Sequence, residues 1–170
     1  MALHGRKEKP LSRTNQLTAM PRIESLDEAV IDAQPMAVYK AVLNEFGGVT
    51  HWWMPIHESK LRGDMPIDHE GAVVDIAIRR TGNAKFSYKI TKLVEGKSID
   101  MDISGDFVGT GSVTFEPEGD KTKMQFRWKV KVAKLGFVIL SPFISIAKGH
   151  SEVMLAGFKA LNSYLTDVTK

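Results

Sequence analysis

The end of the chain carries a helical pattern of hydrophobic and polar positions. From Ser151 to Asp167, apolar residues recur at helical spacing along one stripe and polar residues take the opposite side. Gly157 lies within the stripe and would let another group come close. A helix of this length cannot cover so wide a stripe alone, so the pattern predicts a helix that lies against a sheet. The stripe consists of Val153, Met154, Phe158, Leu161, Tyr164, Leu165 and Val168.

The preceding part of the chain has the period of two that is typical of strands. The clearest strand is the last, where apolar residues from Met124 to Val132 alternate with polar residues from Lys123 to Lys131. Such strict alternation gives one dry face and one wet face, as in an antiparallel sheet covered on one side. Earlier segments, within 72–78, 86–90, 99–103 and 113–115, are separated by short turns, which predicts a meander.

Three further elements precede this meander. Residues 21–32 predict a strand whose alternation slips near Leu26 and Asp27, which indicates a bulge or an edge position. A short helix is expected from Pro35 to the two glycines at 47–48, and residues 58–61 predict a short strand. The order strand, small helix, meander, long helix predicts an α+β fold and excludes a doubly wound α/β fold.

Composition and charge limit the classes of function. The chain has 170 residues and no cysteine, so we expect one domain over residues 21–170, without disulfides or thiolate metal sites, in the cytoplasm. The net charge of +3 arises from the first 20 residues, which we expect to form a disordered basic tail. The predicted domain is therefore neutral overall, and nucleic-acid binding loses its usual support.

The longest apolar run, residues 135–147, is too short to span a bilayer and is interrupted by Gly136 and Pro142. A soluble protein is therefore expected. The run is either a continuation of the core or a mobile apolar lid. As a lid it could make transient contact with a membrane surface, assisted by the basic tail.

Several segments together resemble a known superfamily. They are residues 31–39, with a Pro-x-x-Val-aromatic helix start, the Trp-Trp-x-Pro segment at 52–55, the Gly-x-Gly at 109–111, the Trp128 strand and the closing helix. With these the chain resembles, over residues 21–168, the SRPBCC superfamily of START-like helix-grip proteins, and most nearly its polyketide cyclase/dehydrase group. The resemblance implies a curved antiparallel β-sheet wrapped around the long C-terminal α-helix, with an internal hydrophobic cavity.

The dry face of the sheet and the apolar stripe of the helix supply the candidate ligand-binding residues. In one interpretation these residues simply form a filled core. In the other, the apolar surface of the sheet is larger than one helix can cover, which leaves a cavity for a ligand. Methionine adapts to varied ligands, and Tyr88 would provide a polar group. The candidates are Trp53, Phe86, Tyr88, Met101, Ile103, Phe115, Phe126, Trp128, Met154, Gly157 and Phe158.

Candidate catalytic residues are few. His51, beside the tryptophan pair, could move protons near neutral pH, and His57 and Tyr88 are further candidates. No metal site is expected, because the spacings of the histidines and carboxylates within 51–70 match no compact motif, and no cofactor is implied. Gly96-Lys97-Ser98 lacks the first glycine of a phosphate-binding loop. Ser151 is interpreted as a helix N-cap, or as lying one residue inside the helix, and not as a nucleophile.

The leading hypothesis is a non-catalytic protein that binds or transports a hydrophobic small molecule or lipid. The alternative is a polyketide cyclase or dehydratase that uses the same cavity, with proton transfer by the candidates above. A third class is a protein-interaction module with a filled core. The sequence predicts neither the ligand nor the oligomeric state.

Overall fold

The structure is a computed structural model that describes residues 20–80, 83–134 and 146–168. The predicted basic tail, apart from its last residue, and the apolar run up to residue 145 lie outside these ranges. The elements are β1 Arg22–Ile31, α1 Pro35–Phe46, β2 His57–Arg62, β3 Val73–Ile78, β4 Ala84–Val94, β5 Ser98–Gly105, β6 Phe107–Glu118, β7 Lys121–Val132 and α2 Ile146–Val168.

All seven strands form one antiparallel sheet in the order β1-β7-β6-β5-β4-β3-β2. The strands from β2 to β7 are neighbours both in sequence and in space, which confirms the meander. β1 and β2 lie at the two edges, so the sheet is not closed into a barrel. The tight turn between β4 and β5 uses Gly96 at φ +67°, a conformation that favours glycine. The α+β fold class is confirmed.

The alternation in β7 decides which face of the sheet is covered. Met124, Phe126, Trp128 and Val130 are buried, whereas the polar residues between them lie on the outer face. A one-residue slip in register would exchange these two sets, so the buried face fixes the pairing of β7 with β1 and β6. The prediction from the alternation is therefore confirmed.

β1 confirms one of the two alternatives predicted for the slip at Leu26 and Asp27. The strand lies at an edge and pairs with β7 without interruption, from Arg22 opposite Lys131 to Ile31 opposite Thr122. The bulge alternative is wrong, because every residue of β1 keeps its partner in the ladder.

α2 differs from its prediction at both ends. It is helical from Ile146, so Ser151 lies several residues inside it and is neither an N-cap nor the first residue within. The polar Ser151 resembles a cap in sequence, but the residues immediately before it continue the helix. Val168 is 65% exposed, because the last turn extends beyond the surface that covers the rest of the stripe. Neither α1 nor α2 is long and apolar enough to cross a bilayer, and no other helix in the described ranges is.

α2 covers the free edge of the sheet. Its main backbone contacts are with β1 and α1. The Asn162 side chain continues the hydrogen bonding of the strand: its Oδ1 accepts from the Asp32 amide at 2.9 Å, and its Nδ2 donates to the Val30 carbonyl at 3.4 Å. These two bonds occupy backbone groups at the end of the edge strand, where another chain could otherwise pair.

A second contact fixes α2 from the side of α1. The Trp53 ring, in the segment after α1, lies directly against the backbone of α2 at Gly157. A Cβ atom at position 157 would lie 2.5 Å from Cζ2 and 2.8 Å from Nε1 of Trp53, closer than real Cβ contacts. The space predicted at Gly157 therefore exists, and Trp53 occupies it.

Gly157→Ala should lower the free energy of unfolding by about 1–3 kcal/mol, because the added methyl group overlaps a buried ring that has little room to move. Urea denaturation measures the change, and Ser163→Ala on the exposed side of α2 is the control for helix propensity. In the double variant with Trp53→Leu, most of the Gly157→Ala penalty should disappear. An equal penalty in both backgrounds would show that this contact does not limit the approach of the helix.

Candidate functional site

Aromatic rings form a continuous series of contacts through the interior, which we name the aromatic chain. It begins with a stack of Trp52 on Trp53 and of Trp53 on His57, with centroids 5.7 and 4.4 Å apart. Phe46 then lies 6.3 Å from His57 and 5.5 Å from Tyr88. This half of the chain joins α1 and the following segment to strands β2 and β4.

The aromatic chain continues across the sheet to the start of α2. Phe86 lies 5.4 Å from Tyr88 and 6.3 Å from Trp128. Phe107 meets Trp128 edge-on at 4.8 Å. The Trp128 ring then stacks on His150, with centroids 4.3 Å apart and planes inclined by 12°. A histidine therefore lies in each end region of the series.

Glu45 organises the first end. This residue of the last turn of α1 is 1% exposed. Its carboxyl group accepts hydrogen bonds from Thr50 Oγ1 at 3.0 Å and from the amides of Trp52 at 3.0 Å and Trp53 at 3.3 Å. Burial raises the pKa of Glu45, and these donors act in the opposite direction by favouring the ionised form. The contacts hold the tryptophan pair against α1.

His57 is the buried titratable partner at this end. Its Nδ1 lies 3.9 Å from Glu45 Oε1, and its side chain is 2% exposed. Neither ring nitrogen has a hydrogen-bond partner among the described residues. Burial lowers the pKa of His57 to about 3, so the imidazole is neutral at neutral pH. A neutral imidazole offers one donor and one acceptor nitrogen.

His150 organises the second end, and the sequence analysis did not select it. Its Nδ1 lies 3.1 Å from Asp27 Oδ2 and 3.2 Å from Ser25 Oγ, both on β1. Burial by itself would raise the pKa of Asp27, but the polar groups of His150, Ser151 and Ser25 around the carboxylate outweigh it and hold that pKa below its usual value. The slip in the β1 pattern was the available signal, because it places polar residues at inward positions.

The remaining catalytic and metal candidates are not brought together. His51 is exposed, whereas His57 is buried on β2. His69 is exposed and pairs with its neighbour Asp68 at 2.7 Å. The sequence cluster within 51–70 is thus divided between surface and core. No three histidine or carboxylate side chains of the described part of the chain gather as metal ligands.

The candidate ligand-binding residues all lie in the interior between the sheet and the helices. Met101 and Ile103 pack over Gly111, where a Cβ atom would lie 3.2 and 3.3 Å from their side chains. Contact with a ligand stays a prediction for this set. Its buried members are Trp53, Phe86, Tyr88, Met101, Ile103, Phe115, Phe126, Trp128, Met154, Gly157 and Phe158.

Two hollows open on the outer, polar face of the sheet. One of about 250 Å³ is lined by groups such as Asp100, Ser112 and Arg127. The other, of about 480 Å³, includes Glu58 and Arg79, which pair with each other at 2.5 Å. Both linings mix charged groups with apolar ones, and they include the candidate ligand-binding residues Met101 and Phe86 respectively.

Comparison with known proteins agrees with this arrangement of sheet and helices. Residues 22–162 match the model of the family described as polyketide cyclase / dehydrase and lipid transport. The chain belongs to this family. It is therefore a member of the SRPBCC superfamily with the helix-grip fold, as the resemblance implied. No curated protein matches the sequence.

Similar solved structures confirm the fold of this family member. The structure of TTHA0849 from Thermus thermophilus has a TM-score of 0.66 at 15% identity, with 88% of this chain and 100% of that chain covered. Ara h 8.0201 gives 0.63 at 14% identity, with 86% and 99% covered. Norcoclaurine synthase from Thalictrum flavum, solved in complex with dopamine and hydroxybenzaldehyde, gives 0.61 at 13% identity, with 98% and 96% covered. At these identities the likeness concerns the fold.

The buried His57 predicts a specific pH dependence of stability. As the pH falls below 6.5, the unfolded chain protonates this histidine, whereas the folded chain resists protonation until about pH 3. The folded state therefore loses stability as the pH falls from 6.5, at up to about 1.4 kcal/mol per pH unit. His57→Phe, which keeps a ring on Trp53, should flatten the plot of unfolding free energy between pH 6.5 and about 4.5. His51→Phe at an exposed position should leave the slope unchanged. An unaltered slope in His57→Phe would contradict the prediction.

Proposed function

We propose that this protein binds a hydrophobic small molecule or lipid in the interior between the sheet and α2. The observation that carries the proposal is a set of buried polar atoms without a hydrogen-bond partner among the described residues: Trp53 Nε1, Trp128 Nε1 and both ring nitrogens of His57. All of them belong to the aromatic chain, whereas two further buried atoms without a partner among the described residues, Asp27 Oδ2 and Thr114 Oγ1, do not. An apolar wall with few polar groups is typical of sites for small molecules.

The energetics favour a binding function over a plain core. A buried donor or acceptor without a partner costs about 1–3 kcal/mol. A filled core selected only for stability would replace His57 with an apolar ring, and would replace Trp128 with phenylalanine. A ligand with polar atoms would supply the partners that these groups lack. The family description, which includes lipid transport, supports the same class of function.

The position of α2 also supports this site. The helix makes its main backbone contacts with β1 and α1. Large side chains therefore fill the space between the helix and the central strands of the sheet. Met154 and Phe158 project from α2 into this region and are buried. Flexible and aromatic side chains of this kind can rearrange around an apolar guest.

Purified protein should retain an apolar molecule in a native mass spectrum, or take up an apolar dye or a fatty acid after extraction. Met154→Lys should weaken that binding at least about tenfold, since a charge in an apolar site is costly to bury. The matched control is Leu155→Lys, because the neighbouring Leu155 is 57% exposed. Circular dichroism would establish that both variants are folded. If Met154→Lys does not fold, Phe158→Leu should change the preferred ligand length. If no apolar molecule co-purifies with the protein and no added apolar molecule binds to it, the proposal is refuted.

A cyclase or dehydratase is the second candidate function. It is favoured by the position of His57 and Tyr88, which both lie against the ring of Phe46. Both polar rings contact Phe46, and both are buried. Burial raises the pKa of Tyr88 and lowers that of His57, so both groups are neutral. The hydroxyl can then donate a hydrogen bond to a substrate oxygen, and the imidazole can accept one. His51 is the weaker candidate, since its side chain is exposed.

For this second candidate, a panel of poly-β-keto substrates should show cyclisation or dehydration that falls about 100-fold or more in His57→Phe and in Tyr88→Phe. Each replacement keeps a ring in the aromatic chain and removes only the polar atoms. His51→Ala should retain activity near that of the unaltered protein. Activity that is independent of His57 and Tyr88 would exclude this mechanism.

A further inference from the structure

The outer face of the sheet carries charged side chains that are not joined into ion pairs. Near the edge of this face, Lys129 of β7 contacts Glu24 of β1 at 2.7 Å, and opposite charges on neighbouring strands stabilise a sheet in this way. On the central strands, Asp100 and Asp102 of β5 and Arg127 of β7 form no ion pair with any other residue of the described ranges. Arg127 acts on Glu24 only from a longer distance. Charges of both signs are therefore available at the centre of this face.

The pairing of the strands keeps these opposite charges apart. Asp100 lies opposite Ser112 of β6, and Ser112 lies opposite Arg127 of β7. Neighbouring strands are about 4.8 Å apart and side chains stand roughly perpendicular to a sheet, so acid and base are separated by about 10 Å. The next row repeats the order of acid, hydroxyl and base with Asp102, Thr110 and Lys129. The short side chains of β6 thus form a floor between an acidic and a basic wall.

A bulge in β4 brings a third hydroxyl group to this floor. The register of β4 with β5 shifts between Ile90 and Lys92, so Thr91 has no partner in the ladder. Thr91 and Lys92 are both exposed, whereas strict alternation would turn one of them inwards. Bulges of this kind re-aim side chains and are frequent beside functional sites. Here the bulge places Thr91 in the lining of the hollow.

These groups line one common hollow of about 250 Å³ on the outer face. Sites for drug-sized ligands measure about 300–1,000 Å³, so the volume favours a small ligand. Lys92 and Lys89 of β4 lie opposite Asp100 and Asp102, but neither lysine lines the hollow and no ion pair joins them to these carboxylates within the described ranges. The carboxylates are therefore available to a ligand.

We propose that this hollow binds a small zwitterion with an ammonium group and a carboxylate, such as a free amino acid. Its ammonium group donates to Asp100 and Asp102. Its carboxylate accepts from Arg127, whose planar guanidinium matches a carboxylate in geometry. The hydroxyl groups of Thr110 and Ser112 lie between the two walls, below the middle of the ligand. This site is separate from the interior and does not rest on the binding function proposed for it.

The separation of the two walls agrees with a ligand of this class. Two hydrogen bonds of about 2.9 Å each, within a span of about 10 Å, leave about 4 Å between the charged groups of the ligand. An ammonium group and a carboxylate on a short carbon chain match that distance. A simple anion or a simple cation would satisfy only one wall and would leave the charges of the other without a partner.

A solvated surface without a ligand makes a different prediction. Charges that serve only solubility would attract anions and cations weakly and independently, so a molecule with both charges would have no advantage. The two roles are separated by comparing a zwitterion with analogues that lack one of its charges.

The experiment is a titration at low ionic strength, followed by nuclear magnetic resonance, with β-alanine, propionate and propylamine. Backbone amide signals of β5, β6 and β7 should shift, and β-alanine should bind at least about fivefold more tightly than either analogue. Arg127→Gln should reduce the affinity for β-alanine to that for propylamine within about twofold. The double variant Asp100→Asn and Asp102→Asn should reduce it to that for propionate. The control is Lys60→Gln, which removes an exposed positive charge on β2 and should leave the affinity unchanged.

Ser112→Leu tests the shape of the site without changing any charge. The larger side chain would fill the floor between Asp100 and Arg127, so β-alanine binding should fall at least about fivefold. A diffuse attraction between surface charges and the ligand would survive this replacement. Circular dichroism would establish that all variants are folded, as expected for changes on the outer face.

Three results would overturn the proposal. The first is the absence of signal shifts in β5, β6 and β7 at millimolar β-alanine. The second is an affinity for β-alanine no higher than that for propionate or propylamine, which would exclude a zwitterion site. The third is an affinity that survives both Arg127→Gln and the double aspartate variant, which would place the site elsewhere. Because apolar ligands test the interior, failure of either proposal leaves the other intact.

Discussion

The attachment of α2 to the edge of the sheet is the constraint on which the rest of the structure depends. Asn162 forms hydrogen bonds with the backbone at the end of β1, and Gly157 lets Trp53 pack directly on the helix backbone. His150 adds a polar contact with Asp27 near the start of the described helix. Because these contacts hold α2 against β1 and α1, the inner face of the central strands is covered by large aromatic side chains.

The interior contains buried polar groups that lack hydrogen-bond partners in the described ranges, which is unusual for a protein core. A core built for stability alone would pair or remove its buried donors and acceptors, since each unpaired one is costly. Here His57 and the indole nitrogens of Trp53 and Trp128 lack partners in the described ranges. The two histidines occupy different environments. Burial keeps His57 neutral, whereas His150 is oriented by a carboxylate, so the two end regions of the aromatic chain are chemically distinct.

Much of this arrangement could be predicted from local pattern. In β7 every second residue is apolar, and that period alone places Phe126 and Trp128 on the buried face. In β1 the pattern is reversed: Ser25 and Asp27 lie at inward positions, and the apolar Leu26 lies at an outward position. No pattern within β1 explains that choice. It becomes understandable only when His150, more than 120 residues later, is seen to meet these side chains.

The sequence by itself determined the order of the elements, the antiparallel sheet, the covered face and the family, because these follow from periodicity and from short segments such as the Trp-Trp-x-Pro at 52–55. It could not show which histidine lies inside. His51 and His57 lie close together in sequence, and the path of the chain between them decides which side chain is buried. Only the tertiary structure decided that Trp53 fills the space at Gly157 and that His150 meets Asp27. Contacts between distant segments depend on how elements dock in three dimensions, and periodicity records only which side of each element is buried.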